Sequence, residues 1–255
     1  MLKTRIIPCL LLKQKGLVKT VKFDKPRYVG DPINAIKIYN EKEAHELVFL
    51  DITATKEKRV PTSELVTQIS DECLMPLAVG GGIRTMEDVQ RLLKAGAEKV
   101  VLNTIAVENP NFVKEAADAF GNQSITVSID AKKSFFGKYE VFTNSGTKNT
   151  KLNPVEFAKE MEQKGAGEIF INSINLDGTR EGYDLKLIKM VSEAVNIPVI
   201  ACGGAGNIED FGKAVHEGGA SAVAAGSMFV FHGRRQAVLI NFPNKDEIRR
   251  VFPTK

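Results

Sequence analysis

Two glycine-rich segments carry the first chemical signal in this sequence. Residues 80–84 are Gly-Gly-Gly-Ile-Arg and residues 203–207 are Gly-Gly-Ala-Gly-Asn. Glycine lets the backbone approach an anion closely, so that NH groups and a helix N-terminus can bind a phosphate, although either segment alone could equally be a tight turn. A small polar pair follows each segment further along, at residues 103–104 (Asn-Thr) and 226–227 (Gly-Ser). Together these features predict a ligand with a phosphate at each end.

Aspartates at the ends of apolar segments carry the second signal. Asp51 and Asp130 each end such a segment, and Asp177 follows a third one within a few residues. An aspartate in this place either anchors a loop through hydrogen bonds or takes part in proton transfer, and both interpretations stay open. Because Lys132 and Lys133 follow Asp130 closely, we expect the pKa of Asp130 to stay low.

Short apolar segments alternate along the chain with longer amphipathic ones. The short segments have four to seven residues rich in Val, Ile and Leu, which is typical of strands buried on both faces of a parallel sheet. Helices are predicted between them, for example over residues 86–95 and 154–164, the first with Thr85 and Asp88 as a capping box. The predicted strands are residues 5–11, 46–51, 76–80, 99–103, 124–130, 168–173, 198–202 and 222–225.

An internal repeat distinguishes a closed barrel from a doubly wound sheet. Residues 77–83 recur as 199–205, and residues 47–52 recur as 169–174, both at an offset of 122 residues. A four-strand unit is too small to bury its sheet, whereas two copies close naturally into eight strands. We therefore predict an α/β protein with a single (β/α)₈ TIM-barrel domain over residues 1–255, built from (βα)₄ half-barrels at about 1–122 and 123–255.

The repeat also exposes an asymmetry where such barrels carry their active sites, at the C-terminal ends of the strands. The fifth predicted strand ends at Asp130, but the matching first strand ends at Leu11. The second strand ends at Asp51, and its copy offers Asn172 and Ser173 instead. We call this end of the predicted barrel the mouth. Its two halves therefore differ in their acidic groups.

Composition narrows the classes of function. No apolar segment reaches the 18 residues of a membrane span, and a leader peptide is not indicated. The net charge of +4, without Trp and with four Tyr, does not suggest a nucleic-acid partner, while an anionic small molecule fits. Cys9, Cys73 and Cys202 are far apart in the sequence and odd in number, which favours reduced thiols in the cytoplasm over a disulfide or a metal site. We expect neither a metal ion nor an organic cofactor.

These motifs together resemble the cyclase subunit of imidazole glycerol phosphate synthase, a barrel of histidine biosynthesis. In that family a separate glutaminase docks on the bottom of the barrel, and ammonia crosses the interior to a bis-phosphorylated ribulosyl intermediate in a lyase reaction. The resemblance thus implies a heterodimer with a glutaminase. It extends over about residues 1–231, and the similar motifs are residues 5–10, 30–32, 46–54, 79–84, 129–132, 177–179, 182–184 and 203–206.

The resemblance also implies roles for individual residues. Asp130 corresponds to one of two catalytic aspartates, and Lys19, in the loop after the first strand, to a further catalytic residue. The phosphate-binding positions are Gly82, Asn103 and Thr104 on one side and Gly178, Gly204 and Ser227 on the other. The ring that gates ammonia entry corresponds to Arg5, Glu46, Lys99 and Glu168. Since these four lie at the starts of predicted strands, they could form a closed ring of salt bridges.

The departures from the family are concentrated at the opposite end. Leu11 stands where the family has its first catalytic aspartate, and leucine neither accepts nor donates a proton. Asn172 replaces a threonine and Val230 a histidine, and residues 13–16 replace an acid-containing turn. Two functions stay open. One is the lyase subunit, and the other is a non-cyclase carrier that passes ammonia to an ATP-dependent amidotransferase acting on surface-polysaccharide sugars, as divergent paralogues do.

Overall fold

The computed structural model describes residues 4–233 and 235–252. Its strands in chain order are β1 (Arg5–Lys13), β2 (Gly16–Val21), β3 (Asp24–Gly30), β4 (Leu47–Asp51), β5 (Leu77–Gly80), β6 (Lys99–Leu102), β7 (Ile125–Lys133), β8 (Tyr139–Thr143), β9 (Lys148–Asn149), β10 (Glu168–Ser173), β11 (Val199–Cys202), β12 (Ala222–Ala225), β13 (Phe231–His232) and β14 (Ala237–Val238). Its helices are α1 (Pro32–Glu41), α2 (Ser63–Glu72), α3 (Met86–Lys94), α4 (Thr104–Glu108), α5 (Pro110–Phe120), α6 (Pro154–Gln163), α7 (Leu185–Ser192), α8 (Ile208–His216), α9 (Ser227–Val230) and α10 (Lys245–Val251), with a 3₁₀ turn at Asn122–Ser124.

Eight parallel strands close into a barrel in the order β1, β4, β5, β6, β7, β10, β11 and β12, and β12 pairs with β1 again. Helices follow the strands along the chain. The predicted (β/α)₈ barrel is therefore confirmed. No helix within the described part of the chain is both long enough and apolar enough to cross a lipid bilayer.

Helix starts repeat between the two halves as the sequence repeat does. The predicted capping box of α3 is present, because the Thr85 side chain accepts from the Asp88 backbone NH and Asp88 accepts from the Thr85 backbone NH. The start of α8 has the same arrangement with Asn207 and Asp210, each 122 residues later. Such caps satisfy NH groups that the helix itself leaves unpaired.

The core consists of two apolar layers. The larger layer fills the space between the barrel and its helices, with Tyr39, Phe49 and Phe211 fully buried. The smaller layer lies inside the barrel and combines larger side chains such as Phe170 and Ile200 with small ones such as Ala78 and Ala222. The interior of the barrel is therefore apolar and filled by side chains from several strands.

Two hairpins above the barrel were not predicted from the sequence. β1 continues to Lys13 and pairs antiparallel with β2, which pairs in turn with β3. β7 likewise continues to Lys133 and pairs with β8. Lys19, expected in a loop, lies instead within β2, because the segment after β1 turns back at once and pairs along it. Both hairpins stand over the C-terminal ends of the strands.

Candidate functional site

A cavity of about 550 Å³ opens at the C-terminal end of the barrel. Its walls come from both halves and include Leu11, Lys19, Asp130, Asp177 and Ser227. The cavity therefore collects groups from opposite sides of the mouth, as the active sites of such barrels do.

Strand register shows which positions correspond in the two halves. Leu11 on β1 pairs with Leu50 on β4. Asp130 on β7 pairs with Asn172 on β10, and Asn172 is 122 residues after Leu50. Leu11 and Asp130 therefore occupy equivalent places, and one half of the mouth has an alkyl group where the other half has a carboxyl group.

Asp130 lies deep in the mouth, with 9% of its surface exposed. Asn103 Nδ2 donates to its Oδ2 at 3.3 Å. Burial, with the nearby negative charge of Asp177, raises the pKa of Asp130 to about 7, so this carboxyl group can accept or donate a proton near neutral pH.

The expectation of a low pKa for Asp130 is therefore wrong. Lys132 Nζ lies 5.7 Å from the ring centre of Phe142, and Lys133 Nζ lies 5.6 Å from that of Tyr139. Both lysines thus contact aromatic rings of the hairpin, and neither forms an ion pair with Asp130 in the described structure. The two lysines that follow Asp130 in the sequence are therefore not the groups that set its pKa in the folded protein.

Asp177 supplies a second carboxyl group to the same cavity. Thr20 Oγ1 donates to Asp177 Oδ2 at 3.2 Å, and the Lys22 backbone NH donates to the Asp177 carbonyl at 2.8 Å. Desolvation raises the pKa of Asp177 to about 6 against the opposing effect of Lys19. Of the two interpretations left open for Asp177, loop anchoring fits its contacts with β2, and its raised pKa also leaves proton transfer possible.

Lys19 extends from β2 into the mouth and is 5% exposed. Its Nζ donates to the Cys9 carbonyl at 2.5 Å and lies against Gly226. Burial lowers the pKa of Lys19, while Cys9 and Asp177 oppose the change. A buried lysine with this environment has a larger neutral fraction than an exposed one.

Asp51 anchors a loop. Its Oδ1 accepts from the backbone NH groups of Thr53 and Ala54, at 3.0 and 3.1 Å, and its Oδ2 accepts from Arg59 Nη1 at 2.5 Å. Of the two interpretations left open for Asp51, these contacts favour loop anchoring over proton transfer.

The residues expected to bind phosphate are only partly brought together. Gly82, Asn103 and Thr104 line a cavity of about 50 Å³ beside the large one, and Ser227 lines the large cavity itself. The loops of Gly178 and Gly204 fold against other backbone, and both glycines have positive φ, 72° and 116°. Neither of these two glycines lines either cavity.

A buried acceptor in the mouth has no partner. Asn172 is 8% exposed, and its Oδ1 forms no hydrogen bond with any described residue. A buried, unpaired carbonyl oxygen costs roughly 1–3 kcal/mol, so a ligand hydroxyl or NH group would be well placed to satisfy it. Nothing in the sequence singled out this atom.

The opposite end of the barrel has a closed ring of charges. Arg5 contacts both Glu46 and Glu168, the latter at 2.5 Å. Lys99 Nζ also contacts both, at 3.1 Å from Glu46 Oε1 and 2.9 Å from Glu168 Oε2. The four side chains therefore alternate in charge, and each base bridges both acids. Between the ring and the mouth lies the apolar interior with Ile7.

The fold and the site define a class of protein, a duplicated (β/α)₈ barrel. It has carboxyl groups and a buried lysine in the mouth at one end and a charged ring at the other. Residues 5–235 match the family described as "Histidine biosynthesis protein". The chain belongs to this family.

Three relatives are similar over nearly their whole lengths, and all carry provisional names as subunits of imidazole glycerol phosphate synthase. Subunit hisF2 of Pseudomonas aeruginosa is 49% identical over 97% of this chain and 99% of that protein. Subunit hisF3 of Vibrio vulnificus is 47% identical over 99% and 97%, respectively. Subunit HisF of Leptospira interrogans is 46% identical over 99% and 100%.

Proposed function

We propose that this chain is the barrel subunit of a glutamine-dependent heterodimer and receives ammonia from a glutaminase bound at the charged ring. The observation that carries the proposal is the alternation of Arg5, Glu46, Lys99 and Glu168 at one end of an apolar interior. Ammonia is small and neutral, so an apolar interior suits its passage better than that of an ion. The names of the relatives fit the same assignment.

The charged ring is the element that a partner would act on. In this proposal the closed ion pairs bar the lower end of the barrel, and a docked partner that competes for Arg5 or Lys99 opens a path for ammonia. Glu46 has 2% of its side chain exposed, and its contacts with these two cations offset the cost of its burial. Docking and ammonia entry are therefore coupled in this proposal.

The fate of the ammonia depends on Leu11. Cyclisation of the family type uses two carboxyl groups for acid and base steps, and Leu11 removes one of them. We therefore favour a carrier, in which ammonia leaves the mouth for an ATP-dependent amidotransferase acting on surface-polysaccharide sugars. The numbered names hisF2 and hisF3 fit a barrel that is one of several in an organism.

Co-expression with a glutaminase of the class-I amidotransferase type encoded beside the chain tests the proposal. We expect a stable heterodimer and glutaminase activity that rises on complex formation. Glu46→Gln should weaken this coupling, whereas Glu181→Gln, a matched change of an exposed acid above the barrel, should leave it intact. A monomeric chain without effect on glutaminase activity would end the proposal.

The nitrogen acceptor is tested in the same preparation. With glutamine and the bis-phosphorylated ribulosyl substrate, the carrier function predicts ammonia release without formation of the imidazole product. Product formation comparable to that of a cyclase with both aspartates would return this chain to histidine biosynthesis.

A further inference from the structure

The amine of Lys19 has unusual surroundings for a lysine. Its side chain is buried, lines the mouth cavity and has a backbone carbonyl, that of Cys9, as its hydrogen-bond acceptor. No carboxylate oxygen of a described residue lies within the 4.0 Å of a salt bridge with it. Lys22, three residues later and in the same cavity wall, is exposed. Lys19 is therefore a desolvated amine without a counter-ion in contact.

The neutral amine is the form of lysine that attacks a carbonyl carbon, and burial favours this form. Burial lowers the pKa of Lys19, which increases the neutral, nucleophilic fraction at neutral pH. Leu11 lines the same cavity and pairs with Val18, the residue before Lys19. Because position 11 has an alkyl group, it adds no negative charge that would keep the amine protonated.

Proton donors for the same chemistry lie in the same cavity. Asp130 and Asp177 both contribute carboxyl groups to its walls, and burial raises the pKa of both, to about 7 and about 6. Near neutral pH each therefore has a protonated fraction and can donate to a departing hydroxyl group or accept a proton from the attacking amine.

We propose that Lys19 is a catalytic nucleophile that forms an imine with the ketone or aldehyde carbonyl of an open-chain sugar phosphate bound in the mouth. The neutral amine adds to the carbonyl carbon and gives a carbinolamine. One of the two carboxyl groups protonates the carbinolamine hydroxyl, which leaves as water while the nitrogen lone pair forms the C=N bond. The overall step consumes one carbonyl group, one amine and one proton, and yields a protonated imine and water.

The surrounding groups identify the substrate class. Ser227 follows Gly226, which Lys19 Nζ touches, so a phosphate at Ser227 would place the rest of the ligand beside the amine. The unpaired Oδ1 of Asn172 can accept from a sugar hydroxyl group. The phosphorylated class of this ligand rests on the proposed function, whereas the reactivity of Lys19 does not depend on a glutaminase.

Reductive trapping tests the proposal on the intact chain and on its complex with the glutaminase. The probe is ribulose 5-phosphate, whose ketone stays open because its terminal hydroxyl is esterified, with cyanoborohydride as the reductant. We expect a saturable adduct that peptide mass spectrometry places at Lys19, in excess of the adducts at all other lysines together. An adduct spread evenly over exposed lysines would overturn the proposal.

Two variants make the test specific. Lys19→Arg keeps a cation but lacks a nucleophilic amine, so the adduct should be lost. Lys186→Arg makes the same change at an exposed position of α7, outside the cavity, and should label as the wild type does. If Lys19→Arg does not fold, the mapped adduct on the wild-type chain still decides the question. Failure of glutaminase docking with normal trapping would sink only the proposed function, and the reverse result would sink only the imine.

Discussion

Leu11 and Asp130 occupy equivalent positions in the two halves of one barrel, since Leu11 pairs with Leu50 and Asp130 with Asn172, 122 residues after Leu50. The duplication gives each half of the barrel an equivalent backbone position, and only one of the two positions has a carboxyl group. In the proposed chemistry, proton transfer at the mouth would depend on Asp130 and on the acid whose charge affects it, Asp177.

Leu11→Asp tests how much chemistry the missing carboxyl group would restore. We expect little or no cyclase turnover by the wild type with free ammonia, since loss of a general acid or base typically lowers the rate by about 10²–10⁴-fold. The variant should recover part of this rate, because Asn172 and residues 13–16 also differ from the family. Leu11→Asn is the matched control and should stay inactive. Normal turnover by the wild type would contradict the prediction.

Asp130→Asn tests the raised pKa through stability. The folded pKa is about 7, whereas an aspartate in the unfolded chain titrates at roughly 3.9. Between these pH values the folded protein binds more protons than the unfolded protein, so the free energy of unfolding falls as pH rises. The variant lacks this titration and should be more stable than the wild type at about pH 8, by on the order of 1–3 kcal/mol, but not at about pH 4.

Urea unfolding at both pH values measures this difference. Asp118→Asn, at an exposed position of α5, is the control and should change the free energy of unfolding by about 0.5 kcal/mol or less at either pH value. A stability gain of Asp130→Asn that is the same at both pH values would argue against a raised pKa.

Glu46→Gln tests the charged ring as a structural unit. The amide cannot balance Arg5 and Lys99 together, although Glu168 still contacts both, so we expect a loss of roughly 2 kcal/mol in the free energy of unfolding. Asp118→Asn breaks the exposed pair with Lys114 and should cost about 0.5 kcal/mol or less. Equal losses for the two variants would show that the ring has no special contribution.

Crystals grown in phosphate test the two predicted anion sites. We expect density near Gly82, Asn103 and Thr104 and a second peak at Ser227, because these groups line adjoining cavities. Ser227→Ala should remove the second peak and leave the first, and Thr104→Val should do the reverse. Absence of both peaks from the wild type would remove the support for a bis-phosphorylated ligand.

The sequence was sufficient for the barrel, the repeat and the ring. Buried parallel strands are marked by local apolar runs, so predicted strand ends differ from the observed ones by at most a few residues, as at β4 and β11. The ring could be expected because the family resemblance gives its four positions and all four lie at the starts of predicted strands. Hydrophobic periodicity and internal duplication can be recognised in the sequence itself, without knowledge of how the side chains pack.

The electrostatics of the mouth could not be predicted in the same way. The pKa of Asp130 follows from burial and from Asp177, 47 residues away, and not from the adjacent Lys132. Lys19 acquires its buried environment only when the hairpin of β1 and β2 folds over the barrel. The distances between side chains across the mouth are fixed only when the barrel closes. They therefore cannot be predicted from any single segment of the sequence.

The seam between β12 and β1 has a consequence for synthesis of the chain. Arg5 pairs with Ala222 and Pro8 with Ala225, so one edge of the first strand stays without its partner until almost the whole polypeptide has left the ribosome. An open strand edge can pair with another chain, and contacts between distant residues form slowly. The nascent N-terminal half therefore passes through a period of exposure to aggregation that ends only when the last barrel strand arrives.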